Sequence, residues 1–207
     1  MKKRLLLPLL VLLALLAGGA AFSPQRTQRK AAHAVVFRSG SRAAACSGTA
    51  VAPRVLLTAN HCDLGGEVVY LDGEATAHRI AGRVADSHDS LLVVLADAPF
   101  RDHIKIGRGA PVQQGERVYW WGSPRGMRDI YRTGYLAGAV VTPEAEMVPG
   151  ATVYIIATPA AMGDSGAGIY AADGRLVGVE TYGIFGGLFT GYYSLAFTEA
   201  QLRQAGL

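Results

Sequence analysis

Two cysteines in 207 residues leave room for one disulfide and exclude a scaffold stapled by several. Charge is also sparse, at 17% of residues, and beside 26 glycines that scarcity suits turn-rich β structure. No basic patch interleaved with aromatics is present, which argues against a nucleic-acid partner. Internal repeats and low-complexity segments are absent, so solenoids and linker-built arrays are excluded. Asp86, His88 and Asp89 are the one group that suggests a metal, but their crowding in a single loop does not form a convincing ligand set, and no metal or cofactor is implied.

Half of the composition is hydrophobic, enough to bury the core of one domain or of two small ones. The chain opens with Met1-Lys2-Lys3-Arg4, then the apolar run Leu5 to Ala17, then small residues Gly18 to Ala21. That order reads as a secretory signal over residues 1–21. The alternative, an uncleaved anchor, is disfavoured because the run is short for a span and holds Pro8. Cleavage after Ala21 removes Lys2, Lys3 and Arg4 and brings the formal charge from +4 to +1, leaving a nearly neutral protein with no stable membrane association. A secreted or periplasmic location is expected. Residues 22–32, with Arg26, Arg29 and Lys30, read on composition as a disordered leader or short propeptide.

From Ala34 the pattern is one of short strands between turns: Val35 to Arg38, Cys46 to Ala52, Val55 to Leu57, Glu67 to Leu71, Ala77 to Val84 and Leu91 to Leu95. Polar residues with Gly107 and Gly109 then bridge to a second set: Arg117 to Trp121, Ile130 to Val141, Val153 to Thr158, Gly168 to Tyr170, Leu176 to Tyr182 and Phe189 to Phe197. Such regularity points to an all-β sandwich or barrel. Thr198 and Gln201 have capping-box spacing, and Gly206 marks a stop, so a short C-terminal helix should end the chain. Within the second set, Met162-Gly163-Asp164-Ser165-Gly166-Ala167-Gly168 holds a serine in a glycine turn that a substrate backbone can approach closely. Such a serine is a nucleophile only if a base takes its proton, and Thr58-Ala59-Asn60-His61-Cys62 offers one upstream.

Cys46-Ser47-Gly48, Thr58 to Cys62, His88 to Val93, Gly163-Asp164-Ser165-Gly166 and Val179 to Gly183, in that order, resemble the trypsin-like serine proteases. The resemblance covers nearly everything after residue 32. It implies two six-stranded antiparallel β-barrels, residues 33–105 and 106–207, with the active site in the cleft between them. It further implies a serine endopeptidase acting on protein or peptide substrates, expected as a monomer. Ser165 would attack the carbonyl, His61 would carry the proton and Asp89 would orient the imidazole. Asp86 competes for the third role, but Asp89 directly precedes the apolar run, where the family carries its aspartate. Gly163 and Ser165 N–H would hold the oxyanion, and Cys46–Cys62 would be the bridge beside the histidine. A zinc site on both cysteines and His61 is the competing reading, short of a fourth ligand. A freshly made N-terminus, Phe22 after signal removal, would pair with Asp164, although the usual Ile-Val-Gly-Gly is absent.

The resemblance also assigns a substrate pocket. Its walls would be Pro159, Ala160, Gly183 and Gly191, with Thr181, Tyr182 and Gly183 presenting backbone groups to an extended peptide. Pro159 stands where a basic-specific relative carries an acid, so that signature is missing. Glu180 places a carboxylate on the pocket strand instead, to pair with a basic substrate side chain or with an internal arginine. Two other classes compete. A catalytically silent fold acting as a binding module is opposed by the presence of His61, Asp89 and Ser165. An α/β-hydrolase esterase would need glycine at Ala167, a helix after the serine and the order Ser, Asp, His.

Overall fold

The computed structural model describes residues 24–107, 111–141, 148–184 and 186–207. The expected signal segment and Phe22 lie outside them. Alternation sets the first half: along Ala77–Ile80, residues face solvent and core by turns, as a strand with one buried face requires. Six strands result, β1 (Ala32–Ser39), β2 (Arg42–Ala52), β3 (Val55–Ala59), β4 (Val68–Leu71), β5 (Ala77–Ala85) and β6 (Ser90–Leu95). They close into a barrel in the order β1-β2-β3-β6-β5-β4, and closure leaves no long open edge. β3 is buried throughout and β6 nearly so, which is why both read as continuous apolar runs.

The second half repeats the plan. β7 (Arg117–Gly122), β8 (Ile130–Val141), β9 (Thr152–Ile156), β10 (Gly168–Ala171), β11 (Leu176–Ile184) and β12 (Phe189–Ser194) close in the order β10-β11-β12-β9-β8-β7. The two barrels meet along an aromatic seam. Tyr119 stacks on Tyr170 with ring centres 5.5 Å apart, Trp121 meets Tyr119 edge-on, and all three pack into the first barrel's core.

From Pro24 onward, the stretch expected to be a disordered leader is ordered. Pro24–Ala31 forms helix α1, opening on a proline, which costs nothing at a first helical position. Composition predicts solvation, but two contacts anchor the helix. Ala31 is fully buried in the first barrel's core, and Gln28 donates its amide to Gly174 O of the second barrel at 3.2 Å. Ordering the helix also lets β1 begin at Ala32, ahead of the expected start, and its pairing with β2 continues to Ser39–Arg42.

At the other end Thr198 and Gln201 form the expected capping box before α2 (Glu199–Gln204). Gln201 Nε2 also donates to Ala85 O at 2.7 Å, tying the tail of the second half to the first barrel. Cys46 and Cys62 are joined in a disulfide, which takes both sulfurs that a zinc site would have used.

The bridge spans 16 residues, and a loop of that size is expected to contribute about 3 kcal/mol by restricting the unfolded chain. The Cys46→Ser/Cys62→Ser protein should therefore lose about that much in urea-unfolding free energy. An unchanged midpoint would show that the loop is not restricted in the unfolded chain.

Candidate active site

β3 ends in a single helical turn, Asn60–Cys62, and this turn sets His61. Asp89 holds it from three directions. Its backbone carbonyl accepts Asn60 N–H at 2.7 Å, its Oδ1 accepts His61 N–H at 2.9 Å, and its Oδ2 lies 2.8 Å from His61 Nδ1. The imidazole is about one-third exposed while the carboxylate is nearly covered, so one ring face reaches the cleft. Asp89 adopts φ 64°, a left-handed conformation that costs a non-glycine residue energy and that these contacts sustain. Asp86 has other work: Oδ1 accepts the N–H groups of His88 and Ser90, and Oδ2 that of Ala196, all at 2.8 Å.

The serine turn docks directly against this corner. Ser165 O accepts Ser47 N–H at 2.8 Å and lies 3.8 Å from Cys62 Sγ, beside His61. Ser47 Oγ donates to Gly163 O at 2.7 Å and accepts Ser123 N–H at 2.8 Å. Gly163 and Gly166 take φ values of 96° and 93°. A Cβ on Gly166 would fall on Ser47 O, so no other residue lets the turn approach β2 this closely. Among the described residues, neither Gly163 N–H nor Ser165 N–H has a hydrogen-bond acceptor, whereas their neighbours Asp164, Gly166 and Ala167 all donate within the protein. The Ser165 hydroxyl donates to Thr181 O at 3.1 Å and makes no hydrogen bond to His61 among the described residues.

Behind the turn lies buried charge that the sequence reading did not assemble. Asp164 and Glu180 are each 1% exposed, and Arg132 of β8 pairs with Asp164 Oδ2 at 3.0 Å while also donating to Pro159 O. The guanidinium lies over the Trp120 ring, 5.5 Å from its centre. Asp164 thus already has a cation from within the barrel, where a new N-terminus had been expected. The only trace of Arg132 in the sequence was one cation inside an alternating strand. Burial pushes the Asp164 carboxyl up, with Arg132 opposing. Burial also holds Glu180 well above the usual 4.5, Asp164 adds to that shift, and Arg132 and the Ser165 hydroxyl oppose it.

Of the remaining pocket candidates, the structure brings Ala160 and Gly183 together. Ala160 N–H donates to Gly187 O at 3.0 Å, and a Cβ on Gly183 would lie 3.0 Å from Ala160 Cβ, so the two walls touch. Gly191 is buried in β12, paired with Tyr182. Pairing between β10 and β11 stops at Gly168–Val179, and the β11 register shifts between Glu180 and Tyr182.

The sequence from residue 46 to residue 179 matches the model of the trypsin-like peptidase domain. The chain belongs to the trypsin-like peptidase family. Solved structures agree on the fold. The active form of the Rv3671c protease from M. tuberculosis superposes with a TM-score of 0.73 at 15% identity, covering 89% of this chain and 84% of that one. An inactive form of Rv3671c gives 0.70 at 17%, covering 89% and 93%. The HtrA-type protease AlgW, solved with a tripeptide, gives 0.69 at 17% identity, covering 87% of this chain and 60% of that one. No curated protein matches the sequence.

In this trypsin-like peptidase the raised Glu180 carboxyl couples stability to pH. Above about 4.5 the unfolded glutamate releases its proton while the folded one keeps it, so stability falls as pH rises toward the folded value. The slope is at most about 1.4 kcal/mol per pH unit. Glu180→Gln keeps the neutral shape, so its melting temperature should match the wild type near about pH 4 and exceed it increasingly at higher pH. Parallel curves would show that the carboxyl is not held neutral. Arg132→Ala strands Asp164 without its cation and should cost about 3–5 kcal/mol in the same measurement.

Proposed function

We propose that this chain is a serine endopeptidase working through an acyl-enzyme. Ser165 Oγ attacks the scissile carbonyl, His61 takes its proton and returns it to the leaving amine, and Asp89 fixes the imidazole through Nδ1. Gly163 N–H and Ser165 N–H receive the oxyanion, a role supported by their having no acceptor among the described residues. The observation that carries this reading is the docking of the serine turn on β2 and the Cys46–Cys62 bridge, beside a histidine held by a buried carboxylate. In the resting arrangement attack begins by breaking the neutral Ser165–Thr181 hydrogen bond, at a net cost of about 0.5–1.5 kcal/mol.

The substrate is a protein or peptide that adds as a strand along β11 at Thr181, Tyr182 and Gly183. Its primary side chain meets Pro159, Ala160 and Gly191, with Glu180 behind them. Residues 33–105 and 106–207 act as two lobes, and neither forms the site alone. The disulfide supports an oxidising compartment, secreted or periplasmic. The silent-fold alternative draws on one observation, the Ser165 hydroxyl turned to Thr181.

A fluorophosphonate probe decides between the two. Wild-type protein should be labelled and should cleave an unstructured protein substrate. Ser165→Ala should not be labelled, and His61→Ala should cleave more slowly by a factor of about 10³ or more. A folded wild type that neither labels nor cleaves leaves the silent fold as the correct reading.

A further inference from the structure

On the far side of Asp164, between α1 and the segment joining β7 to β8, lies a cleft of about 390 Å³. α1 lines it with Arg26, Arg29 and Lys30, spaced to share one helix face. Arg128 adds a further cation and His33 of β1 also lines the cleft, against the carboxylates of Asp72 and Asp129. Those acids are already engaged. Asp129 pairs with Arg29 at 3.3 Å, and Asp72 holds His33 Nδ1 at 2.7 Å and accepts Ala34 N–H at 3.0 Å. Lys30 reaches outward to Asp102 at 3.5 Å. Among the described residues Arg26 and Arg128 have no ion-pair partner, and His33 Nε2 is buried with no hydrogen-bond partner. Two guanidiniums, those of Arg26 and Arg128, therefore border one cleft without an ion-pair partner, with Arg128 in the field of Asp72.

We propose that this cleft binds a phosphate group. A tetrahedral anion offers several acceptor oxygens, and guanidinium forks bind such groups with two parallel hydrogen bonds. The volume exceeds that of phosphate alone, so the group arrives as a monoester, either of a small free molecule or of a lipid head. Gly122 lines the same cleft, and a Cβ there would fall on Asp164 Oδ1. The bound anion would thus sit one backbone's thickness from the carboxylate behind the serine turn, without touching the proposed catalytic residues.

The test reads binding, so it does not depend on whether the protein hydrolyses peptides. Wild type is titrated calorimetrically with inorganic phosphate and with glycerol phosphate at constant ionic strength, and is sedimented with phosphatidic acid–phosphatidylcholine vesicles. The same is done with Arg26→Ala/Arg128→Ala, checked for fold by circular dichroism. Saturable binding of a soluble phosphate, weakened tenfold or more in the double variant, is expected if the ligand is a free ester. Vesicle binding alone, lost in the same variant, assigns a lipid head. No saturable binding in any arm, or binding that the double variant keeps at full strength, overturns the site.

Discussion

One side chain on β2 carries the junction between the two barrels. Ser47 Oγ receives Ser123 N–H and gives its own proton to Gly163 O, while Ser47 N–H holds Ser165 O. Each bond is worth about 0.5–1.5 kcal/mol net, but all three join groups that docking removes from water, and leaving any of them unmade costs more than making it gains. The barrels therefore dock in register or lose several bonds together. Since His61 stands on one barrel and Ser165 on the other, the geometry of any chemistry between them is set by this seam and by the aromatic packing of Tyr119, Trp121 and Tyr170 beneath it.

The turn that Ser47 grips is braced from behind by charge. Two buried carboxylates, Asp164 and Glu180, share the field of one guanidinium, and Arg132 is itself fixed by the Trp120 face and by Pro159 O. An ion pair removed from water adds little net stability, and its usual return is a defined arrangement. Here the arrangement is that of the loop from Pro159 to Gly166, held at its start by Arg132 and at its end by Ser47. Because Arg132 belongs to the barrel wall, this brace is assembled when the second barrel closes.

Sequence pattern made the strands legible because their faces alternate and because turn residues separate them; all twelve appear close to where the pattern places them. The capping box at Thr198 was legible from local residue identity, and the disulfide from there being two cysteines and from the family resemblance. The motif around Asp89 indicated its pairing with His61, and the competing Asp86 turns out to tie its own loop and Ala196. Arg132 was not legible, because a cation in an alternating strand ordinarily faces solvent and only barrel closure brings this one onto Asp164. α1 was hidden for a related reason. Its composition is that of a solvated segment, and its order comes from Ala31 and Gln28 meeting surfaces distant in sequence. Pocket shape depends on the separation of two walls, which no spacing along the chain encodes.

The Thr181 carbonyl links binding to chemistry in the proposed mechanism. It lies on the β11 edge where the register shifts, and it accepts the Ser165 hydroxyl at 3.1 Å. A peptide adding as a strand brings N–H donors to that edge, and a donor that takes Thr181 O competes with the hydroxyl for its lone pairs. The hydroxyl must then find another acceptor. The Glu180 carboxyl also interacts with that hydroxyl but is kept neutral by burial and is the weaker acceptor, which leaves His61, whose Nδ1 is committed to Asp89 and whose Nε2 is the remaining nitrogen. Substrate docking would thus turn the nucleophile toward its base, so that the resting hydrogen bond keeps the serine unreactive until a backbone occupies the edge.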